Sequence, residues 1–462
     1  ARELLLGRPP RAGQAAGTSL RRADETDLDA ARRLATELDR TVLPIQGPPG
    51  SGKTYSGARM ILTLVRAGKR VGITGTSHKV ISNLLKAVLK AAADPAEPPV
   101  DVRPVQRGDK EQVLDDALVA RGGSNDDVRA RLEDGRANLA AGTPWLWGSA
   151  KMIDAVDVLF VDEAGQISLA NVVAISRSTE SLVLLGDPQQ LDQPMRGTHP
   201  PGADRSALAH VLAGRATMPS DRGLFLETTW RLHPALCDFT SEVFYEDRLE
   251  PEPHLIVQRL DARGLSHPEG VGPRLLEVPT VGADNESPEE ADAVARVARS
   301  IVEAGSSWVN EKGKRLPVTW DEVLIVAPYN AQVGAIKRRL PAEARVGTVD
   351  KFQGQEAPVS IYSLTTSSPE LAPRGMDFLY SRNRLNVATS RARCITIVAA
   401  SPDLLRVRAR TPAQMRLANA LCRYVEMTTA RRGPGTGAPS TGPAPELTRP
   451  GDERVEVLTL GL

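Results

Sequence analysis

Residues 47–54 have the types and the spacing needed to bind a chain of phosphate groups. The run fits the pattern G-x-x-x-x-G-K-[ST], in which successive backbone N–H groups surround phosphate oxygens. Its glycines permit a tight turn and let the backbone approach the anion closely. The candidate phosphate-binding residues are Gly47, Pro48, Pro49, Gly50, Ser51, Gly52, Lys53 and Thr54.

Two side chains at the end of this loop have separate predicted roles. Lys53 can reach the β- and γ-phosphates of a nucleoside triphosphate, and the Thr54 hydroxyl can bind Mg²⁺. An apolar run, residues 42–45, precedes the loop, although its Pro44 is unfavourable in a strand. A helical pattern follows and ends at Gly68, a predicted C′ residue. A strand before and a helix after argue against a chance glycine-rich turn, because the helix N-terminus would face the phosphates.

Two further apolar runs end in side chains that suit phosphate chemistry. Residues 158–161 lead into Asp162, predicted to hold Mg²⁺ through water, and Glu163, predicted to orient or deprotonate the attacking water. The alternative is an acidic pair exposed at a strand end. Residues 182–185 lead, through a run that is otherwise typical of a simple turn, to Gln190. Its amide can contact the γ-phosphate or the attacking water and lose that contact on hydrolysis.

Net charge, cysteine content and the length of the apolar runs limit the classes of protein to which this chain can belong. The chain has 462 residues and a net charge of +1, so no global basic field draws in nucleic acid, and a strand-binding site must be a local groove. Cys237, Cys394 and Cys422 form no C-x-x-C motif, which argues against a disulfide framework or a zinc site and favours a cytoplasmic location. Apolar runs are too short to span a membrane. We expect a chain that begins at Ala1 to be the C-terminal part of a longer protein.

Apolar runs alternate with helical patterns, which predicts an α/β fold with mainly parallel sheets and helices on both faces. We expect a linker, or the remnant of an upstream domain, over residues 1–23 and a first domain over residues 24–225. An inserted subdomain is expected over residues 93–142, with helices at Glu111–Ala120 and Asp126–Ala140. A second α/β domain is expected over residues 226–430, and a disordered tail over residues 431–462.

One helix of the second domain has a well-marked start. Ser287 is a predicted N-cap, Pro288 lies at N1, and Glu290 at N3 completes a predicted capping box. The helix is expected to extend to Glu303. Farther along, Asn330 is a predicted N-cap.

Three more motifs complete an ordered set with those above: residues 229–234, 346–356 and 384–393. The set closely resembles the superfamily 1 helicases, nearest the branch of the nonsense-mediated-decay helicase and the replication helicase-nucleases. The sequence around the motifs is similar to that of bacterial proteins in which a RecB-like nuclease precedes such a helicase. The resemblance covers about residues 25–425. It implies two RecA-like P-loop NTPase domains with ATP in the cleft between them.

The resemblance also implies roles for residues of the second domain. Arg231 and Arg391 would point at the γ-phosphate and stabilise the charge that develops in its transfer. Glu356 would contact the ribose, while Asp350 and Gln353 would organise their loop. Trp230 stands where the family has tyrosine, so it either stacks on the base or packs in the core. The family's upstream glutamine, which reads adenine, would fall near Ala30 and is missing.

Contacts to a nucleic-acid strand are implied in the same way. Ser77 and His78 align with a motif that contacts the strand backbone, with His78 in place of asparagine, and a structural histidine is the alternative. Thr143 and Thr348 are further candidates. Trp145 and Trp147 could stack on bases, although core packing is favoured. Residues 374–410 contain eight arginines and two aspartates, a local charge of +6, which suits either a strand-binding groove or a solvated face.

We therefore expect an ATP-driven translocase that acts as a helicase on single-stranded nucleic acid. DNA over RNA, a 5′-to-3′ direction, a role in DNA repair and a RecB-like nuclease domain upstream in cis are expectations from the resemblance alone. This chain contains no E-x-K of such a nuclease. The first alternative is an ATPase that remodels or senses strands without unwinding them. A GTPase switch is disfavoured because no N-K-x-D run occurs, and an idle binding module is disfavoured by the intact Lys53, Asp162 and Glu163.

Overall fold

The α/β elements belong to two units, residues 1–229 and the residues from 230 onward. The computed structural model describes residues 1–430 except 16, 192–199, 201, 204, 263–269 and 353. The expected disordered tail, residues 431–462, and the loop residue Gln353 therefore lie outside the described residues.

The first unit alternates strands and helices over most of its length. Its helices are α1 (Arg2–Leu5), α2 (Asp27–Glu37), α3 (Lys53–Arg66), α4 (His78–Ala92), α5 (Asn125–Glu133), α6 (Pro144–Trp147), α7 (Leu169–Ile175) and α8 (Ala207–Leu212). Its strands are β1 (Val42–Gln46), β2 (Val71–Thr74), β3 (Pro104–Arg107), β4 (Ala120–Gly122), β5 (Leu139–Ala141), β6 (Val156–Val161), β7 (Thr179–Gly186), β8 (Leu224–Phe225) and β9 (Thr228–Thr229).

One parallel sheet in the order β4-β3-β5-β2-β6-β7-β1-β8 organises this unit. Because the strands are parallel, the carboxyl ends of β1, β2, β6 and β7 reach the same edge of the sheet. Pro44 is tolerated inside β1 since β8 pairs only with Ile45 and Gln46, beyond the proline. Helices α2, α3 and α4 pack side by side and bury apolar residues against the sheet.

Residues 1–23, expected to be a linker or the remnant of an upstream domain, pack on the first unit. Leu4 and Leu20 are each only 1% exposed. The Leu20 N–H donates to the Ser220 carbonyl, and the Arg222 guanidinium donates to the Gly7 carbonyl at 2.7 Å. Apolar burial outweighs the polar composition of this segment, which had favoured a linker.

Residues 93–142 add β3, β4 and β5 to the main sheet. The helix expected over Glu111–Ala120 is wrong: the buried Gln106 side chain accepts from the Leu114 N–H at 2.9 Å, and β4 begins at Ala120. The helix expected over Asp126–Ala140 is too long. It ends at Glu133, two residues before Gly135 with its positive φ of 76°, and residues 139–141 pair with β2 and β3.

The second unit is built on its own parallel sheet. Its strands are β10 (Glu250–Pro251), β11 (Arg259–Asp261), β12 (Gly272–Glu277), β13 (Ser307–Val309), β14 (Arg315–Pro317), β15 (Val323–Ala327), β16 (Arg345–Thr348), β17 (Ala357–Ser363) and β18 (Ala392–Ala400). Its helices are α9 (Pro234–Tyr245), α10 (Pro288–Glu303), α11 (Asn330–Lys337), α12 (Met376–Leu379), α13 (Arg382–Thr389) and α14 (Pro412–Ala430).

The main sheet of this unit runs β12-β18-β17-β15-β16, with every pair parallel, and β11, β13 and β14 form a small antiparallel sheet. Strands β15, β17 and β18 are buried over almost their whole length and are mainly apolar, as is typical of parallel strands covered on both faces. The α/β class with mainly parallel sheets is confirmed. Among the described residues, no helix is long and apolar enough to cross a membrane.

Helix α10 begins and ends where the sequence predicts, but its capping box is wrong. Ser287 accepts from the Glu290 N–H, as an N-cap should. The Glu290 carboxylate does not return this bond. It accepts instead from the Ser363 hydroxyl at 2.6 Å and the Thr365 N–H at 2.8 Å, while the Ser287 N–H donates to Gln332. The Ser287 N–H is already satisfied by Gln332, so the buried Glu290 carboxylate is left to accept from Ser363 and Thr365 at the end of β17.

Candidate functional site

The phosphate-binding pattern lies between β1 and α3, as the sequence predicts. Gly50 and Gly52 have φ values of 75° and 79°, which side chains with a Cβ rarely adopt. A Cβ on Gly47 would lie 2.1 Å from Lys53 Cγ, so the lysine stem fills the space over this glycine. Lys53 Nζ donates to the Gly47 carbonyl at 2.5 Å. A phosphate oxygen would be a stronger, charged acceptor for the same ammonium group.

The loop is also held from outside. The Thr229 hydroxyl donates to the Pro49 carbonyl at 2.9 Å. The Ser51 hydroxyl is buried and has no hydrogen-bond partner among the described residues. A buried, unsatisfied hydroxyl is costly, and a phosphate oxygen at this loop would satisfy it. The geometry therefore suits an anion in the loop.

Asp162 and Glu163 follow β6 at the same edge. Asp162 is buried and its Oδ1 accepts from the Glu163 N–H at 2.9 Å. Glu163 has a positive φ of 53°, uncommon for a residue other than glycine, asparagine or aspartate. Burial, and then the charge of Glu163, raise the pKa of Asp162, against the lowering effects of the hydrogen bond from the Glu163 N–H and of the charge of Lys53. A cation beside Asp162 would restore its charged form.

This donor set fits Mg²⁺. A desolvated carboxylate and the hydroxyl of Thr54, in the first turn of α3, are oxygen ligands of the kind that Mg²⁺ prefers. Bound there, Mg²⁺ would offset the negative charge of a nucleotide's phosphates. Thr54 and Asp162 are the residues that would hold it.

The end of β7 comes very close to the loop after β6. A Cβ on Gly165 would lie 2.7 Å from the carbonyl oxygen of Asp187, and one on Gly186 would lie 2.6 Å from the Gly165 nitrogen. Gln190 is 5% exposed, and its amide donates to Asp187 Oδ2 at 2.9 Å. Asp187 Oδ1 accepts from the Gln189 N–H at 3.1 Å. Gln190 is thus placed in a hydrogen-bonded loop next to the Asp162 segment.

Within the second unit, the predicted Arg231 and Glu356 form an ion pair, and Arg393 pairs with the same carboxylate. Arg393 also lies 3.2 Å from Glu311. Burial by itself would raise the pKa of Glu356, but the charges of Arg231 and Arg393 outweigh burial and hold that pKa at about 2. Glu356 therefore stays ionised between two guanidinium groups. Arg393 was not predicted as a site residue, although it lies two residues after Arg391 in the same motif.

Arg391 belongs to the same part of the second unit. It is 2% exposed, its Nε donates to the Val387 carbonyl at 3.2 Å, and a terminal nitrogen donates to the Gln355 carbonyl at 3.4 Å. Arg231 donates to the carbonyl of Ser390 at 3.2 Å. The two predicted arginines are therefore brought together within one unit, at the amino ends of β17 and β18.

Trp230 is 58% exposed, which rules out the core-packing alternative. Its ring centroid lies 6.2 Å from that of His254. An exposed indole beside Arg231 is available to stack on a planar base.

The residues predicted to contact a nucleic-acid strand lie in both units. Ser77 is the N-cap of α4 and accepts from the Val80 N–H at 3.3 Å, and His78 begins that helix. Thr143 is the N-cap of α6, with no hydrogen bond from its side chain to the helix. Thr348 ends β16 in the second unit. Asn330, predicted as an N-cap, is instead the first residue of α11, and Tyr329 precedes it.

The structure separates the two tryptophans that the sequence treats alike. Trp147 is buried, and its Nε1 donates to the carbonyls of Ile73 and Gly142, both at 3.1 Å. Trp145 is 89% exposed, so core packing is wrong for this residue.

The arginine-rich stretch is only partly free to line a groove. Arg391 and Arg393 belong to the network above, and the terminal nitrogen of Arg382 donates to the Val243 carbonyl. The guanidinium carbons of Arg374 and Arg384 lie 3.9 and 4.3 Å from the ring centroid of Phe378. This cation–π cluster has no signature in the sequence, because its members are brought together only by the turn between α12 and α13.

Comparisons with known proteins agree with the motif order. Residues 23–200 match one family model described as an AAA domain, and residues 204–403 match a second model with that description. The regulator of nonsense transcripts 1 homolog of Arabidopsis thaliana is 25% identical over 424 residues, covering 82% of this chain and 33% of the relative. The DNA polymerase alpha-associated DNA helicase A of Schizosaccharomyces pombe is 24% identical over 425 residues, covering 79% of this chain and 62% of the relative.

Among solved structures, an arterivirus nonstructural protein 10 (helicase) with DNA is 16% identical, with a TM-score of 0.42, covering 82% of this chain and 63% of that chain. This chain thus spans between a third and about three fifths of the length of the two curated relatives. The two units have the RecA-like α/β fold. Taken with the ordered motifs, the two family models and the two curated relatives place the chain in the superfamily 1 helicases, in the branch that includes the regulator of nonsense transcripts 1.

Proposed function

We propose that this protein is an ATP-dependent translocase and helicase on single-stranded nucleic acid, with DNA as the favoured strand and 5′-to-3′ as its direction. The observation that carries the proposal is the meeting of the glycine loop, Lys53, Asp162 and Glu163 at one edge of a parallel sheet. Membership of a helicase family supports the activity, and the name of the fission-yeast relative supports DNA.

In the proposed reaction, the loop and Lys53 hold the phosphates, and Glu163 orients or deprotonates the water that attacks the γ-phosphorus. Arg231 and Arg391 stabilise the charge on the transferring phosphoryl group. Glu356 contributes in two ways: it keeps Arg231 in place and it contacts the ribose. Trp230 stacks on the base. Stacking tolerates any base, and no adenine-reading glutamine lies near Ala30, so little preference for adenine over other bases is expected.

In this proposal, ATP hydrolysis is coupled to movement on the nucleic acid through the loops at the ends of the β-strands. Gln190 would lose its contact with the γ-phosphate or the attacking water on hydrolysis and so report the nucleotide state. The backbone contacts proposed for Ser77, His78, Thr143 and Thr348 recognise phosphates and sugars rather than bases, so little sequence preference is expected. A RecB-like nuclease domain in cis and a cytoplasmic location stay predictions from the resemblance and from cysteine usage.

The test measures ATP turnover with and without single-stranded DNA and RNA, and then unwinding of duplexes tailed at the 5′ or the 3′ end. Stimulation by DNA and unwinding of the 5′-tailed duplex are expected. Stimulated turnover without any unwinding would replace the helicase by a strand remodeller. Turnover that no nucleic acid stimulates would reject the proposal.

A further inference from the structure

Trp145 is an exposed residue of the first unit, close in sequence to Thr143, which is predicted to contact a nucleic-acid strand. Tryptophan is usually mostly buried, yet 89% of Trp145 is exposed. The turn that carries it is firmly anchored, because the neighbouring Trp147 is buried and donates to two carbonyls. The exposure of Trp145 is therefore a property of a well-held turn and not of a loose loop.

Three strand ends bring other side chains to the same edge. A Cβ on Gly108, after β3, would lie 3.1 Å from Cε1 of His78, after β2. A Cβ on Gly142, after β5, would lie 3.4 Å from the Cβ of Arg107. Trp145 follows Gly142 by three residues. His78, Arg107 and Trp145 thus lie along the carboxyl ends of three neighbouring strands, β2, β3 and β5.

Two of these side chains carry unsatisfied polar atoms. His78 Nδ1 and Arg107 Nε are both buried atoms without a hydrogen-bond partner among the described residues. No carboxylate of a described residue lies within ion-pair distance of Arg107. A cationic side chain without a counter-charge, beside an exposed aromatic ring, has the chemistry that binds a phosphate and a base together.

We propose that Trp145 stacks on a base of a single nucleic-acid strand and that Arg107 binds the adjoining backbone phosphate. This site deepens the proposed function and rests on it, since the strand would be the one on which the protein moves. Continuity with Ser77, His78 and Thr143 favours a nucleic-acid strand over a protein partner as the occupant. Stacking on an indole tolerates any base, as a translocase requires.

The experiment measures the binding of fluorescein-labelled oligonucleotides, each about 15 nucleotides long, by fluorescence anisotropy in the absence of ATP. The probes are oligo-dT, oligo-rU and an abasic DNA strand of equal length. Trp145→Ala should weaken oligo-dT binding by roughly 5- to 150-fold, the range that one stacked base supplies. Its binding to the abasic strand should be unchanged. Trp145→Phe should recover part of the loss, and oligo-rU shows whether RNA supplies the base equally well.

Arg107→Ala should weaken binding to oligo-dT and to the abasic strand alike. It should also lower the slope of log K against log salt by about 0.7 between roughly 50 and 200 mM, because one phosphate contact is lost. Leu118→Ala is the matched control: Leu118 is 66% exposed but precedes β4, at the opposite edge of the sheet. It should bind every probe as the unaltered protein does.

Equal affinity of Trp145→Ala and the unaltered protein for oligo-dT would overturn the stacking role, as would an equal loss on the abasic strand. An unchanged salt slope in Arg107→Ala would overturn the phosphate contact. Failure of the unaltered protein to bind any strand would instead overturn the proposed function, and this site with it.

Discussion

At the scale of single residues, Lys53 has the most directly testable role. Lys53→Ala and Glu163→Gln should each lower strand-stimulated ATP turnover by at least about 100-fold, because each removes a group that acts on the reacting phosphate or water. Steady-state turnover with saturating oligo-dT measures the loss. Lys69→Ala serves as the control, since Lys69 is an exposed lysine beyond the far end of α3.

Circular dichroism and melting temperature must show that both variants stay folded. Full turnover in either variant would reject the site assignment at that residue. Turnover lost equally in Lys69→Ala would point to a general effect of charge removal.

At the scale of elements, the close contact between the ends of β6 and β7 is possible because Gly165 has no side chain. Gly165 has no positive φ, so alanine is acceptable to its backbone, but a Cβ there would lie 2.7 Å from the Asp187 carbonyl oxygen. Gly165→Ala should destabilise the first unit by about 1–3 kcal/mol through overpacking. Thermal unfolding measures the change. Gly123→Ala, at a glycine with no atom within 4 Å of the new Cβ, should leave the melting temperature unaltered.

Helix α10 carries a buried acid whose protonation should make stability depend on pH. Burial raises the pKa of Glu290 to about 7, against the lowering effect of hydrogen bonds from Ser363 and Thr365. The ordinary value is 4.5, so the folded state keeps this proton at pH values where the unfolded state has lost it. The stability that follows is full below about pH 4.5 and is lost as pH rises toward 7.

The melting temperature of the unaltered protein should therefore exceed that of Glu290→Gln by more at pH 5.5 than at pH 7.5. Glu343→Gln, which neutralises an exposed carboxylate in the same unit, should leave the pH dependence as it is. Parallel pH profiles for Glu290→Gln and the unaltered protein would show that Glu290 is not the group that titrates.

At the scale of the whole molecule, the proposal requires an arginine of the second unit to act on a phosphate bound by the first. Arg391→Ala should lower turnover by about 10³- to 10⁵-fold while ATP still binds. Combined with Glu163→Gln, the two losses should be far from additive, because residues that serve one transition state fail together. Turnover and equilibrium binding of a fluorescent ATP analogue, measured on the single and double variants, provide the cycle. Additive losses would show that Arg391 and Glu163 do not act on the same transition state.

The local elements could be predicted well from the sequence. Helix α10 has its predicted bounds, the apolar run 158–161 lies in β6, and Gly68 follows the C-cap of α3 with a φ of 77°, where a C′ glycine was expected. These features depend on apolar runs and on backbone preferences of a few adjacent residues. The phosphate loop belongs with them, since its glycines and Lys53 lie within eight consecutive positions.

Other features depended on partners far away in the chain. The sequence alone determined that a phosphate loop lies between a strand and a helix, with an acidic pair at a second strand end. Only the tertiary structure decided that Trp145 is exposed while Trp147 is buried, that Glu290 bonds to β17 instead of capping its own helix, and that residues 1–23 and 93–142 pack into the first unit. A short segment can encode its own backbone, but which side chains meet across a hundred residues is decided by packing.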